Sequence, residues 1–445
     1  MSGKAQIPPE NAPAKHRGGT DIRRVTAGLI GNVMEWFDFA VYGYFAPVIG
    51  RQFFPAEDAV ASLLAAFGVF ASGFLARPIG AAFFGHLGDR HGRHLVMRLS
   101  VVLMGLATFG MGLLPTYAVL GATAPILLTA LRIAQGFSVG GEYTGSVVYL
   151  VEDAPVGRRG LVSGWTNVGA VAGFLLGSAV GAGITSACTP EQLAAWGWRV
   201  PFLFGVLIAL AAVFFRRDLP TDSPEPPEEG PSPVLEALRT EWSTMLRIAA
   251  VILTANVGFY MMFVYVTTYL TQQVGVETAR ALEIDTVAMG ALLVIVPAAG
   301  WLSDRVGRKP VLLSASLGTL LLSLPLLEAI RHDHTALILA GQFGFAVLIG
   351  LAFGANGAVI VEMTRSKLRC STISVAYNFC LALFGGTTPL VAAWLISQTH
   401  DDLTPAYYMM GMAMITTIAL IGTKETAWDE IDGGTAPQPG SKLDR

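Results

Sequence analysis

Apolar residues run along this chain in long blocks, without the short-period alternation of a half-buried strand. Twelve blocks fall near residues 25–48, 61–84, 95–114, 124–151, 161–186, 199–215, 247–271, 282–302, 311–330, 336–361, 371–397 and 404–423. Each approaches or exceeds the ~20 residues that an α-helix needs to cross the hydrocarbon of a bilayer. The pattern predicts an all-α membrane protein of twelve transmembrane helices. Polar residues collect in a tail over 1–24, a middle segment over 217–245 and a second tail over 424–445. The middle segment carries six prolines and the acids Asp218, Asp222, Glu225, Glu228 and Glu229, so it reads as a solvated linker. It divides the chain into two six-helix bundles, 25–216 and 246–423.

Composition agrees, and charge adds an orientation. Of 445 residues 53% are hydrophobic and only 14% charged, against about a quarter charged in a typical soluble protein. With the N-terminus placed inside, 23 of the 29 Lys and Arg residues fall on inner segments. By the positive-inside rule both termini are expected in the cytoplasm, with the chain in a plasma membrane. The first apolar block is too long for a signal-peptide core and is read as a span. The net charge of −3 gives no hint of nucleic acid. No P-loop appears, which argues against ATP-driven transport by this chain alone. Cys188, Cys370 and Cys380 form neither a disulfide framework nor a metal pair. No nucleophile–base or metal-ligand constellation lies in the spans, so an enzyme is not expected, nor a cofactor or metal.

The two halves repeat one another. Gly85–His94 reads GHLGDRHGRH and Gly300–Lys309 reads GWLSDRVGRK; Glu152-x6-Arg159 is matched by Glu362-x6-Arg369. Two motifs recurring at nearly one spacing point to a duplicated bundle. The loops resemble the hallmark of the major facilitator superfamily, the first copy departing at His94 where Arg or Lys is usual. Gly31–Gly43 (GNVMEWFDFAVYG), Phe74–Gly80 (FLARPIG), Arg132–Gly145 (RIAQGFSVGGEYTG) and Trp196–Phe202 (WGWRVPF) resemble the metabolite:proton symporters. Thr254–Met261 (TANVGFYM), Thr388–Leu395 (TPLVAAWL) and Pro405–Met410 (PAYYMM) resemble the proline/glycine-betaine branch. The resemblance implies a major facilitator fold of two pseudo-symmetric bundles, alternating access, and a proton gradient as the energy source. It implies import of a zwitterionic osmolyte or amino acid such as proline or glycine betaine by a monomer. The alternative on the same framework is an organic acid of the 2-oxoglutarate, citrate or shikimate class.

A charge at the bilayer centre costs about 2.5–3.5 kcal/mol even on the gentlest scale, so each one needs a partner or a purpose. Glu35, Asp38, Arg77, Arg132 and Glu142 lie well inside predicted spans. Depth by helical rise suggests two pairs, Asp38–Arg132 and Arg77–Glu142. Glu35 is then left over, as a carboxyl able to load and release a proton. Glu35, Asp38 and Glu142 are the candidate proton-coupling groups, because all seven histidines fall in tails, loops or span edges. The second half shows no charge deep in a span. Its amides and aromatics, Asn256, Tyr260, Tyr377 and Asn378, join Arg132, Gln135, Trp36 and Tyr42 as candidate solute contacts. One cation for a carboxylate and aromatic faces for an ammonium suit a zwitterion better than a tricarboxylate.

The repeated loops supply the candidate gates. Asp89 is placed to cap the third helix, with Arg90 and Arg93 facing Glu152. The same reading sets Asp304, Arg305 and Arg308 against Glu362, with Arg77 near this layer in a packing or gating role. In the fifth span Gly169, Gly173, Gly177 and Gly181 recur every fourth residue, a face suited to close helix approach.

Overall fold

The computed structural model describes residues 22–91, 93–139, 142–216, 233–429 and 431, without the side chains of 22–31, 85–86, 88–91, 93–98, 142–143, 208–209 and 211–216. The first bundle consists of α1 (Ile22–Phe53), α2 (Ala59–His91), α3 (Arg93–Leu113), α4 (Thr123–Ser138, continued as Glu142–Glu152), α5 (Arg159–Ala187) and α6 (Val200–Arg216). The second consists of α7 (Trp242–Val274), α8 (Thr278–Val306), α9 (Arg308–Ile330), α10 (Thr335–Glu362), α11 (Ser366–Thr399) and α12 (Thr404–Ile421). Eight of these helices are long and apolar enough to cross a membrane, among the described residues.

The same packing recurs six helices apart. α2 lies on α4 as α8 lies on α10, and α3 lies on α6 as α9 lies on α12. The outer helices α3, α6, α9 and α12 turn Leu106, Leu207, Leu321 and Ile418 outward, as lipid-facing helices do. Between the halves α5 and α8 make the most extensive contact of the molecule, flanked by α1 with α7 and α2 with α11.

Glycine sets these distances. A Cβ at Gly173 would stand 2.5 Å from the Val33 carbonyl oxygen, and one at Gly177 2.7 Å from Ala40 Cβ. The expected glycine face of α5 is therefore pressed on α1.

Three turns of the second bundle are wider than α-helical: Met261–Tyr265 and Leu270–Val274 in α7, and Leu381–Gly385 in α11. Such turns recur at functional sites because they re-aim neighbouring side chains.

The linker is shorter than 217–245. Residues Pro233–Thr240 form a helix, and α7 begins at Trp242. This helix lies along the start of α11, buries Ala237, and pairs Glu236 with Lys367 at 3.3 Å. Proline at its first turn and the apolar Val234, Leu235 and Ala237 outweigh the acidic, proline-rich character that precedes them. The end of the molecule bearing this helix is termed the linker face, and the opposite end the far face.

Candidate functional site

The deepest charges meet near the common axis of the bundles. Arg77 Nη2 lies 2.7 Å from Glu35 Oε1, both side chains being 1% exposed. Arg77 Nε also donates to Asn378 Oδ1 of α11 at 3.4 Å, which ties the pair to the other half. The expectation of a solitary Glu35 is thereby overturned, while the expected Arg77–Glu142 pair involves a side chain outside the described residues. α1 and α2 run side by side, so Arg77 reaches the carboxyl on the neighbouring helix. The Glu142 side chain lies outside the described residues.

Asp38 and Arg132 belong to one network without touching. Arg132 Nη1 donates to Gln135 Oε1, Gln135 Nε2 donates to Thr108 Oγ1 at 2.9 Å, and Thr108 Oγ1 donates to Asp38 Oδ2 at 2.5 Å. No direct ion pair joins Asp38 to Arg132 among the described residues, a correction to the expected pair. The intervening amide and hydroxyl fill the gap between α1 and α4. Thr108 on α3 carried no signal in the sequence, since hydroxyls are common in spans.

Two edges of this network are unused. Arg132 Nε and Nη2 are buried without a hydrogen-bond partner, and so is Asp38 Oδ1. The Nε/Nη2 edge is the side of a guanidinium that takes a carboxylate in a two-bond fork.

Rings close the space around both arginines. Arg132 lies 4.2 Å from the centroid of Phe39, 4.7 Å from Tyr42 and 5.0 Å from Phe70. Arg77 lies 5.4 Å from Trp36. From the second half Tyr260 packs edge-on to Phe74 at 5.3 Å, its hydroxyl buried and without a partner. Tyr260 and Asn378 each precede a wide turn of their helix, which accounts for their reach into the axis.

Of the expected solute contacts, Arg132, Gln135, Trp36, Tyr42, Tyr260 and Asn378 are brought together around Glu35 and Asp38. Tyr377 is buried beside Asn378 in α11. Asn256 is not in the network: its amide donates to Ile252 O of its own helix at 3.1 Å.

The second half does hold a deep carboxyl. Asp285 of α8 is fully buried and receives Gln342 Nε2 of α10 at 3.4 Å. Its place three residues inside the predicted span made it read as an edge residue, whereas α8 begins at Thr278.

On the linker face the repeated motifs pair across the halves. Arg369 binds Glu152, and Arg159 stands 3.9 Å from Glu362. Each Glu-x6-Arg copy thus binds the other copy's partner. Arg308 joins Glu362 at 3.0 Å and Asp304 at 2.8 Å, as expected of those three residues.

Asp304 behaves differently from the cap reading. It sits in the last turn of α8 and accepts Gly160 N and Leu161 N at 2.8 Å each, capping α5 of the other half. Asp89 likewise falls in α2, before α3 begins; its side chain and those of Arg90 and Arg93 lie outside the described residues. Arg305 is exposed and stacks on Trp301 at 4.0 Å, apart from the latch.

Residues after α12 complete this face. Glu425 accepts Arg308 N at 2.8 Å and Lys309 N at 3.0 Å, Thr426 donates to Glu362 at 2.7 Å, and Arg159 donates to Asp429 O at 2.8 Å. The first residues of the expected tail, 425–429, are therefore docked on the bundle.

At the far face a cavity of about 360 Å³ lies between the bundles, lined by Tyr44, Arg51, Cys188, Thr268 and Thr278 among others.

Two six-helix bundles meeting on a buried charged axis, shut at one end by exchanged ion pairs, define a membrane transporter of the major facilitator fold. The chain belongs to the sugar (and other) transporter family, which matches residues 25–225 and 231–433. It is 35% identical over 428 residues to the proline/betaine transporter of Salmonella typhimurium, spanning 93% of this chain and 85% of the relative. It is 34% identical over 427 residues to the glycine betaine/proline/ectoine/pipecolic acid transporter OusA of Dickeya dadantii, with the same shares covered. Among solved structures it resembles the Escherichia coli xylose transporter XylE in a partially occluded inward-open conformation. The TM-score is 0.74 at 17% identity, over 93% of this chain and 99% of that one. The proton:xylose symporter XylE bound to 6-bromo-6-deoxy-D-glucose matches at TM-score 0.71, 17% identity, over 91% and 96%. Those two likenesses establish the fold.

Proposed function

We propose that this transporter is a proton-coupled symporter that imports a small zwitterion of the proline or glycine betaine class by alternating access. The linker face, with the basic connections, is its cytoplasmic side in a bacterial inner membrane. The observation that carries the reading is the pair of unused edges in one buried network, Arg132 Nε/Nη2 and Asp38 Oδ1.

A solute carboxylate docked on the Arg132 fork would take up the cation that Asp38 shares through Gln135 and Thr108. Asp38 then carries the proton, so solute and proton load together. The Glu35–Arg77 pair is internally neutral and, through Asn378, reports the approach of α11. The rings of Phe39, Phe70, Phe74 and Tyr260 offer faces to an ammonium. Among the described side chains two carboxylates balance two guanidiniums here, so a tricarboxylate would leave an uncompensated charge in a low-dielectric site. The zwitterion transport named for the two relatives supports the same class.

The test is uptake into proteoliposomes with an imposed pH gradient, using labelled proline and glycine betaine. Gradient-driven uptake should fall by about two orders of magnitude in Asp38→Asn and in Arg132→Ala. Uptake of an organic acid instead, uncompeted by betaine, would overturn the solute class. Solute uptake indifferent to the gradient would overturn proton coupling.

A further inference from the structure

Asp285 is fully buried, yet no Lys, Arg or His pairs with it among the described residues. Polar groups from α1, α5, α7 and α10 surround it. Tyr44 is the titratable group that faces it, and Ser178 and Gln342 are the others. The hydroxyls of Tyr44 and Ser178 that face Asp285 are shared with backbone carbonyls. Tyr44 donates to Phe263 O at 2.9 Å, Ser178 to Leu282 O at 3.1 Å, and Thr286 to Leu282 O at 2.7 Å. Gln342 Nε2 donates to Met262 O at 2.6 Å and, more weakly, to Asp285.

Two acceptors are left over, Asp285 Oδ2 and Gln342 Oε1, both buried and without a partner. The cluster is one donor short. A proton on Asp285 supplies that donor and also removes a charge that nothing here compensates. Tyr44 and Leu282 also line the far-face cavity, so the proton's path leads to that side.

The duplication sharpens the assignment. At the spacing that relates Glu152 to Glu362, Gln342 matches Arg132; at the spacing that relates Asp89 to Asp304, Asp285 matches Phe70. Arg132 stands 5.0 Å from the Phe70 ring, as Gln342 meets Asp285. The second half therefore has, at the matching place, a carboxyl and an amide where the first has a ring and a guanidinium.

We propose that Asp285 is a second proton-binding site, loaded from the far face, whose occupancy holds that face shut. The proposal rests on the alternating-access reading. Opening parts Tyr44 from Phe263 and Ser178 from Leu282, admits water along the cavity, and lets the carboxyl ionise. The ionised form thus belongs to the open far face and the protonated form to the closed one.

Nitroxides at Arg51→Cys and Ala279→Cys, in a chain carrying Cys188→Ser, Cys370→Ser and Cys380→Ser, report the far-face opening by electron–electron distance in nanodiscs. The distance should lengthen as pH rises from about 5 to about 9. In Asp285→Asn it should stay short throughout, and in Asp285→Glu the response should return. Gln342→Glu places a second carboxyl beside the first and should move the midpoint up by roughly one unit or more, which tests the site if Asp285→Asn does not fold. Asp38→Asn should lose uptake and keep the pH-dependent distance, so failure of the coupling reading and failure of this one are separable. A parent insensitive to pH, an Asp285→Asn variant that responds as the parent does, or an unmoved midpoint in Gln342→Glu would each overturn the proposal. A distance that follows sodium concentration and not pH would overturn it too, by assigning the site to a metal cation.

Discussion

The two ends of the molecule are shut by different chemistry. On the linker face charged groups meet across the halves, Glu152 with Arg369, Glu362 with Arg159 and Asp304 with the first amides of α5, while Arg308 on Glu362 and Glu425 on the first amides of α9 brace them from within the second half. On the far face hydroxyls meet backbone carbonyls, and the carboxyl among them has no cation. The Glu152–Arg369 and Glu362–Arg159 contacts are two copies of one arrangement because the motif that makes them is repeated. The far-face contacts around Asp285 are not repeated, since Asp285 and Gln342 stand where the first half has Phe70 and Arg132. An ion pair holds through two fixed partners, and losing either leaves a buried charge. A hydroxyl contact can be given up to water at little cost, and a carboxyl without a cation can be switched by a proton. On the readings proposed above, the linker face acts as a latch and the far face as a proton-sensitive door.

The contrast breaks most completely where backbone meets backbone. A Cβ at Gly300 would lie 2.3 Å from the Gly160 carbonyl oxygen, while one at Gly290 on the same helix meets nothing within 4 Å. Gly300→Val should force α5 from α8 at the linker face at a cost of about 1–3 kcal/mol to the closed state. Uptake into proteoliposomes should fall roughly ten- to a hundredfold. Gly290→Val should transport as the parent does, and equal losses in both would remove the close crossing from the mechanism.

Next comes charge. Arg369→Glu would set two acids together at Glu152; because Glu152 is 37% exposed, the cost should be about 1–2 kcal/mol. Initial uptake rates should drop about tenfold. The double variant Glu152→Arg with Arg369→Glu restores opposite signs and should recover most of the rate. Failure of the exchange to rescue would mean that these residues act outside the latch.

That latch marks the boundary of what sequence pattern can supply. Block lengths fix twelve helices, and the repeated DRxGR and Glu-x6-Arg motifs fix two related bundles, because both signals are local. Partner choice is not local. Each Glu-x6-Arg copy looks self-contained in the sequence, and only the facing of α4 on α11 and α10 on α5 exchanges the partners. Depth counting put Asp38 and Arg132 on one level and paired them, but it carries no rotation about the helix axis, so it did not show that Gln135 and Thr108 stand between them. It likewise left Glu35 without a cation when the neighbouring helix offered Arg77. Asp285 was missed for a related reason: hydropathy placed the edge of α8 four residues inside its true start. Thr108 and Gln342 could not be singled out, because their roles exist only once three helices have met.

A smaller effect lies in the tail. Glu425→Ala would remove the acceptor for the first amides of α9, at about 1 kcal/mol. The apparent melting temperature should fall by about 1–2 °C. The closed linker face should also be populated severalfold less, read from the distance between nitroxides on α5 and α8. An unchanged linker-face population with a lowered melting temperature would make the tail a helix cap and nothing more.

The smallest change tests the far face at its own strength. Ser178 Oγ donates to Leu282 O at 3.1 Å and lies 2.8 Å from Thr286 Oγ1. Ser178→Ala deletes that donor, but Leu282 O keeps Thr286 as a partner at 2.7 Å, so no buried acceptor is orphaned. The cost should therefore sit at the low end for a single hydrogen bond, about 0.5 kcal/mol. That is roughly a twofold shift toward the open far face in the nitroxide distances. Asp285 keeps its place, so the pH response should survive. If Ser178→Ala instead cost as much as Arg369→Glu, the far face would be held by fixed partners as the linker face is. The asymmetry between latch and door would then have to come from the solute's own contacts at Arg132.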